Sequence, residues 1–273
     1  MYYIIRNFIH KFFEEEIIIF HSIDNFVPFV LLLFAGGFID SIAGGGGLLT
    51  LPAYLLTGLP TVSALATNKF SSIFGTFGSF LGYLKHNKLH LKLLKFLVPA
   101  SFAGSMLGSF IVTKIKADFL NAAIPFLILG VGLYSLFNKS LGGVSMYKHP
   151  KKAVLTKGIF FTFLVGFYDG FFGPGAGTFF IVMLIKIFSV DFLEASGNTK
   201  LLNFASGLSA FFIFLINGKV NFFYGLIGTV AILLGSLAGT KLAIKKGVPF
   251  IRPVFLSVSF IIAIKMFYDK LLH

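Results

Sequence analysis

The chain has 273 residues, of which 56% are hydrophobic and 12% charged, and its mean hydropathy is +0.91; soluble domains carry roughly 25% charged residues, so a water-soluble globular domain is excluded. The net charge of +13 would suggest nucleic acid in a soluble chain, but here most cations sit in short loops between apolar runs, which reads as positive-inside topology and contact with anionic lipid. The chain has no cysteine, which removes disulfides, thiol nucleophiles and cysteine metal sites.

Residues 1–26 hold Arg6, Lys11 and the run Glu14-Glu15-Glu16. They read as an amphipathic N-terminal segment lying on the membrane surface rather than a signal peptide. Eight apolar segments follow, at about 27–57, 61–84, 93–113, 119–137, 156–187, 195–216, 222–243 and 249–268. They are continuously apolar, as spanning helices are, without the alternation of a barrel. The expected fold is therefore an all-α integral membrane protein of about eight transmembrane segments.

Segments one and five are too long for a simple span of about 20 residues. Both contain a glycine-rich stretch with an aspartate: Gly36 to Gly47 around Asp40, and Gly166 to Gly177 around Asp169. Helix interiors disfavour glycine by about 1 kcal/mol per residue. The first helix of each half is therefore expected to break there, either as one discontinuous helix or as a span plus a re-entrant piece. The freed backbone groups must then face protein or a water-filled cavity.

The two stretches match at an offset of 129 (169 − 40), and the similarity extends further. Lys69 pairs with Lys200, Lys88 with Lys219, and Gly104/Gly108 with Gly235/Gly239 at an offset of 131 (200 − 69). Residues 27–137 and 158–273 thus read as two transmembrane repeats of four segments each, joined by a basic linker at 138–157. Such duplication marks many secondary transporters. Single crossings make the repeats parallel; a hidden re-entrant hairpin would invert the second. With eight crossings, the N-terminus, 85–95, 138–157, 217–221 and the C-terminus share one face. That face holds thirteen cations against seven, so both termini are expected to be cytoplasmic.

Asp40 and Asp169 are the only acidic residues deep in apolar segments. Each reads either as a carboxylate that binds or relays a proton, or as a cap on the half-helix that follows it. Lys69, Ser72, Thr76 and Ser79 share one helical face, and Lys200, Asn203, Gly207 and Ala210 form its counterpart. Such a stripe can line an anion cavity; alternatively the lysines pair with the aspartates and only hold the bundle, or snorkel to the interface. Asn68, Ser71 and Thr199 stand next to these. The G-x-x-x-G spacings read as close helix packing. His86 and His90, at i and i+4, are the one histidine pair spaced for a metal, and the metal reading of them is weak. No Walker loop, nucleophile elbow or H-E-x-x-H occurs.

Gly37-Phe38-Ile39-Asp40-Ser41-Ile42-Ala43-Gly44-Gly45-Gly46-Gly47 followed by Ala64 to Lys69 resembles the TauE/SafE family of sulfite exporters. Gly166 to Gly177, Lys200-Leu201-Leu202-Asn203 and Gly235 to Gly239 resemble it again, over about residues 27–268 in all. The resemblance implies an inner-membrane permease for small sulfur-containing anions such as sulfite or sulfonates. The expected substrate-binding residues are Asp40, Gly44, Gly45, Gly46, Gly47, Asn68, Lys69, Ser72, Asp169, Gly173, Gly175, Gly177, Lys200 and Asn203. No catalytic residue, metal or cofactor is expected. The expected partners are a small anionic solute, the lipid bilayer and a coupling proton on Asp40 or Asp169, with homo-oligomers left open and nucleic acid excluded. The competing readings are an integral membrane enzyme and a structural or assembly component without transport activity.

Overall fold

The computed structural model describes residues 23–86, 89–116 and 145–246, with helical residues 119–120, 123, 126–127 and 130. Residues 1–22, most of the fourth segment and the eighth segment lie outside the described residues, and so do the expectations placed on them. The described chain is all helix: α1 (Ile23–Ala43), α2 (Gly47–Leu55), α3 (Thr61–Lys85), α4 (Leu91–Val112), α5 (Lys152–Phe171), α6 (Ala176–Phe188), α7 (Phe192–Ile216) and α8 (Phe222–Lys246). Five of these, namely α1, α4, α5, α7 and α8, are long and apolar enough to cross a membrane. α3 is as long as α7, but Asn68, Lys69, Ser71, Ser72 and Thr76 dilute its apolar character.

The long first and fifth segments each become two helices. Gly44 (φ 72°) and Gly45 (φ 82°) end α1; Gly173 (φ 98°) and Gly175 (φ 81°) separate α5 from α6. Left-handed backbone is open to glycine at little cost, so both breaks sit where the sequence supplies it. Each pair then doubles back. Tyr54 of α2 packs its ring 5.5 Å from Phe29 of α1, and a side chain on Gly158 of α5 would strike Phe188 at the far end of α6. Both are therefore re-entrant hairpins. α2 and α6, at about 14 and 20 Å by their residue counts, are too short to cross a hydrocarbon core of about 30 Å.

Contacts fix the helix directions. Gly37 of α1 packs on Ile232 of α8 and Gly239 of α8 on Phe38 and Ser41 of α1. Gly75 of α3 meets Ile232, and Gly82 of α3 meets Thr240. So α1, α3 and α8 run parallel. Ser101 and Ser105 of α4 donate to the carbonyls of Leu202 (3.0 Å) and Ser206 (2.6 Å) of α7. The glycines Gly104 and Gly108 seat α4 against Phe163 and Phe167 of α5. So α4, α5 and α7 also run parallel. The two sets cross antiparallel where α3 meets α7, with Phe70 against Phe211 and Phe77 against Phe204. Small residues line these seams and bring backbone to backbone, as helix packing in lipid requires. Apolar side chains such as Leu31, Phe110, Leu226 and Val230 point outward.

The hairpins change the sidedness expected from eight single crossings, because each adds a reversal. Lys85, Lys92, Lys95, Lys148, Lys151, Lys152, Lys157, Lys186, Lys241, Lys245 and Lys246 lie at one end of the bundle. Lys114, Lys116 and Lys219 lie at the other, where α1 also begins. Lys219 thus leaves the face that holds Lys85, while Lys186, Lys241, Lys245 and Lys246 join it.

Candidate functional site

The two hairpin tips meet. A side chain on Gly44 would lie 2.5 Å from the Gly177 carbonyl carbon and 2.6 Å from the Thr178 nitrogen, and one on Gly47 would lie 2.9 Å from the Pro174 Cα. Only glycine permits this approach. Beside the contact is a cavity of about 60 Å³, several times the roughly 10–15 Å³ that one water needs. It is lined from α1 by Gly36, Gly37 and Asp40, from the α2 start by Gly45, Gly46, Gly47 and Thr50, and from α3 by Asn68, Lys69, Ser72 and Thr76. Asp169, Gly173, Gly175, Gly177, Asn203 and Gly207 close it from the other hairpin and α7, with Ile232 and Ser236 from α8.

The aspartates reach across to the lysines. Lys69 Nζ of α3 is 2.6 Å from Asp169 Oδ1 of α5. Lys200 Nζ of α7 is 2.9 Å from Asp40 Oδ2 of α1. Each hairpin is thus tied to the long helix of the opposite set. A buried ion is costly unless paired and hydrogen-bonded, and both pairs meet that condition.

The pairs differ in detail. Lys200 is fully buried and also donates to the Asp40 backbone carbonyl, an end carbonyl of α1 that a cation favours. Asp40 Oδ1 accepts from the Gly46 nitrogen at 3.3 Å, beside the start of α2, where a negative charge is favoured. Asp169 Oδ2 instead accepts from the Ser206 hydroxyl. The start of α6 at Gly175 has no side-chain cap. Asn68 Oδ1 and Asn203 Oδ1, on residues more than nine-tenths buried, find no hydrogen-bond partner among the described residues.

Of the expected site residues, all but Gly44 and Lys200 line the cavity. Gly44 is spent on the tip contact, and Lys200 on Asp40 beneath the surface. Ser79 and Ala210, expected on the two polar faces, are fully buried away from the cavity. Ser71 is taken by Tyr54, at 2.5 Å. Gly36, Gly37, Thr50, Ile232 and Ser236 were not anticipated; they arrive because α2 folds back and α8 packs on α1, which no periodicity along the chain reveals. His86 Nδ1 lies 2.9 Å from the Gly82 carbonyl, and His90 Nε2 lies 3.3 Å from Glu194. The two rings therefore serve different partners. Among the described residues no group of three His, Asp or Glu side chains is placed to hold a metal.

Membrane-length helices, two interrupted helices whose tips meet, and charged residues at that meeting define a multi-pass membrane protein of transporter type. The chain belongs to the family described as Sulfite exporter TauE/SafE, whose family model matches residues 29–266. It is 37% identical over 236 residues to "Probable membrane transporter protein ORF9" of Sinorhizobium sp, covering 86% of this chain and 90% of that one. It is 36% identical over 237 residues to a "Probable membrane transporter protein" of Haemophilus influenzae, covering 87% and 92%. It is 37% identical over 246 residues to "Probable membrane transporter protein YfcA" of Escherichia coli strain K12, covering 89% and 88%. No solved structure matches the chain significantly. The protein is thus a member of a membrane transporter family.

Proposed function

We propose that the chain is a secondary permease that carries a small anion, a sulfur oxyanion such as sulfite or a sulfonate, through the cavity between the hairpin tips. The observation that carries this reading is the composition of that cavity. It joins Lys69, two helix starts without an N-cap side-chain hydrogen bond and the unpartnered side-chain carbonyls of Asn68 and Asn203 in one small polar space. Two lysines and two aspartates cancel in charge, so the residual field comes from the N-terminal ends of α2 and α6, each worth roughly half a positive charge. An amide with an unpaired carbonyl can turn its NH₂ toward an acceptor-only solute. Either Asp169 or Asp40 carries the coupling proton: neutralising it frees a lysine for the solute, which links proton and anion in one step. The opposed α3 and α7 support a reading of the two halves as inverted repeats that rock about the site. The basic end of the bundle is assigned to the cytoplasm, in the inner membrane.

The test is uptake into proteoliposomes of labelled sulfite, thiosulfate, a sulfonate and a carboxylate. Saturable uptake of one or more sulfur oxyanions is expected. Carboxylate uptake alone would overturn the substrate class, and no uptake above empty liposomes would overturn the permease reading.

A further inference from the structure

The two aspartates occupy matching places in sequence, yet their oxygens meet different kinds of hydrogen-bond partner. Both oxygens of Asp40 face donors that carry no lone pair to offer: the Gly46 N–H and the Lys200 ammonium. Among the described residues a proton on that carboxyl meets no protein acceptor and competes with one of these bonds. Asp169 has one such donor, Lys69. Its other oxygen meets the Ser206 hydroxyl, which can donate or accept. The same hydroxyl lies 3.1 Å from the Asn203 backbone carbonyl. When Asp169 takes a proton on Oδ2, that O–H donates to Ser206 Oγ, and the Ser206 hydrogen turns to the Asn203 carbonyl. Every hydrogen then has an acceptor, and Lys69 loses its counter-charge. The position matching Ser206, at the offset of 131, is Gly75 (206 − 131), which has no hydroxyl.

The charged and titratable groups that face Asp169 are few. α3 supplies Lys69, and Asp40 of α1 lies across the cavity. Tyr168 of the same helix donates to the Pro174 carbonyl at 2.7 Å. α7 supplies Ser206 and turns Lys200 to Asp40. Neither α4 nor α6 makes an ion pair with it among the described residues.

We propose that Asp169, with Ser206 as its switchable partner, is the single proton-carrying carboxyl, and that Asp40 stays ionised throughout as a brace held by Lys200 and Gly46. This rests on the permease reading above and divides the roles within its site. A hydronium ion gives its proton to Asp169 Oδ2: one hydronium O–H bond breaks, the Asp169 O–H bond forms, water is left, and no other covalent bond changes. Ser206 is a positioning residue here, and Lys69 is the group released.

Infrared difference spectroscopy of the purified full-length protein across pH reads the carboxyl directly and needs no solute. A water-shielded C=O band of a protonated carboxyl is expected on acidification of the wild type, retained in Asp40→Asn and missing in Asp169→Asn. If Asp169→Asn does not fold, Asp169→Glu carries the test: it must move the band's frequency while Asp40→Glu leaves it unchanged. A shielded band that survives Asp169→Asn, disappears in Asp40→Asn, or is absent from the wild type overturns the proposal. If the band behaves as described and no tested solute is transported, the permease reading fails while the protonation assignment stands.

Discussion

Lys69 and Lys200 began as equivalent lysines by sequence, and their surroundings separate them. Lys69 lines the cavity, whereas Lys200 is sealed against the carboxylate and backbone of Asp40. Removing Lys200 strands a half-buried carboxylate where α1 ends, at a cost below that of a fully buried pair, about 3–5 kcal/mol. Lys200→Met is therefore expected to lower the thermal midpoint and the folded yield in detergent, measured by size exclusion and thermal unfolding. An unchanged midpoint would contradict a bracing role. The sequence left the aspartates open between proton carrier and helix cap; in the structure both pair with lysines, and Asp40 also accepts from the Gly46 nitrogen. What the sequence could not convey was which lysine each would meet, because the paired residues lie 100 and 160 positions apart in the chain.

At the scale of the element, the hairpins depend on glycine in two distinct ways. Gly44 needs its left-handed φ of 72° and also abuts Gly177 and Thr178, whereas Gly58 (φ 80°) has nothing within 4 Å of a notional side chain. Strain of that backbone kind costs about 1–3 kcal/mol. Gly58→Ala should lose no more than that, while Gly44→Ala must also push the tips apart and should lose folded protein altogether. Equal stability of the two variants, measured by thermal unfolding, would sink the tip contact. The breaks themselves were legible, since four consecutive glycines and Gly173-Pro174-Gly175 cannot sit inside a helix. The doubling back was not legible, because a hairpin and a discontinuous span of this length share one hydropathy pattern.

At the scale of the molecule, the two hairpins reverse the chain twice more than a hydropathy count allows, and this regroups the lysines. Among the described residues eleven lysines then gather at one end and three at the other, where eight single crossings would divide the same lysines eight to six, and this is in keeping with a cytoplasmic basic face. The chain has no cysteine, so single cysteines report the sides cleanly. Lys116→Cys is expected to react with an impermeant thiol reagent on intact cells, and Lys152→Cys only after permeabilisation. The reverse pattern would turn the molecule over, and labelling of both on intact cells would contradict the crossing directions.

In the permease proposed above, the cavity between the tips admits the anion and Lys69 is the cation it meets there. Losing a charge-assisted hydrogen bond is worth about 1.5–3 kcal/mol, or roughly tenfold to a hundredfold in rate or affinity at about 1.4 kcal/mol per decade. The decisive measurement is the initial rate of sulfite uptake by proteoliposomes holding equal amounts of folded wild-type and Lys69→Met protein. Saturable uptake by the wild type and a loss of at least about tenfold in the variant are expected. Undiminished uptake by folded Lys69→Met protein would contradict this role of Lys69.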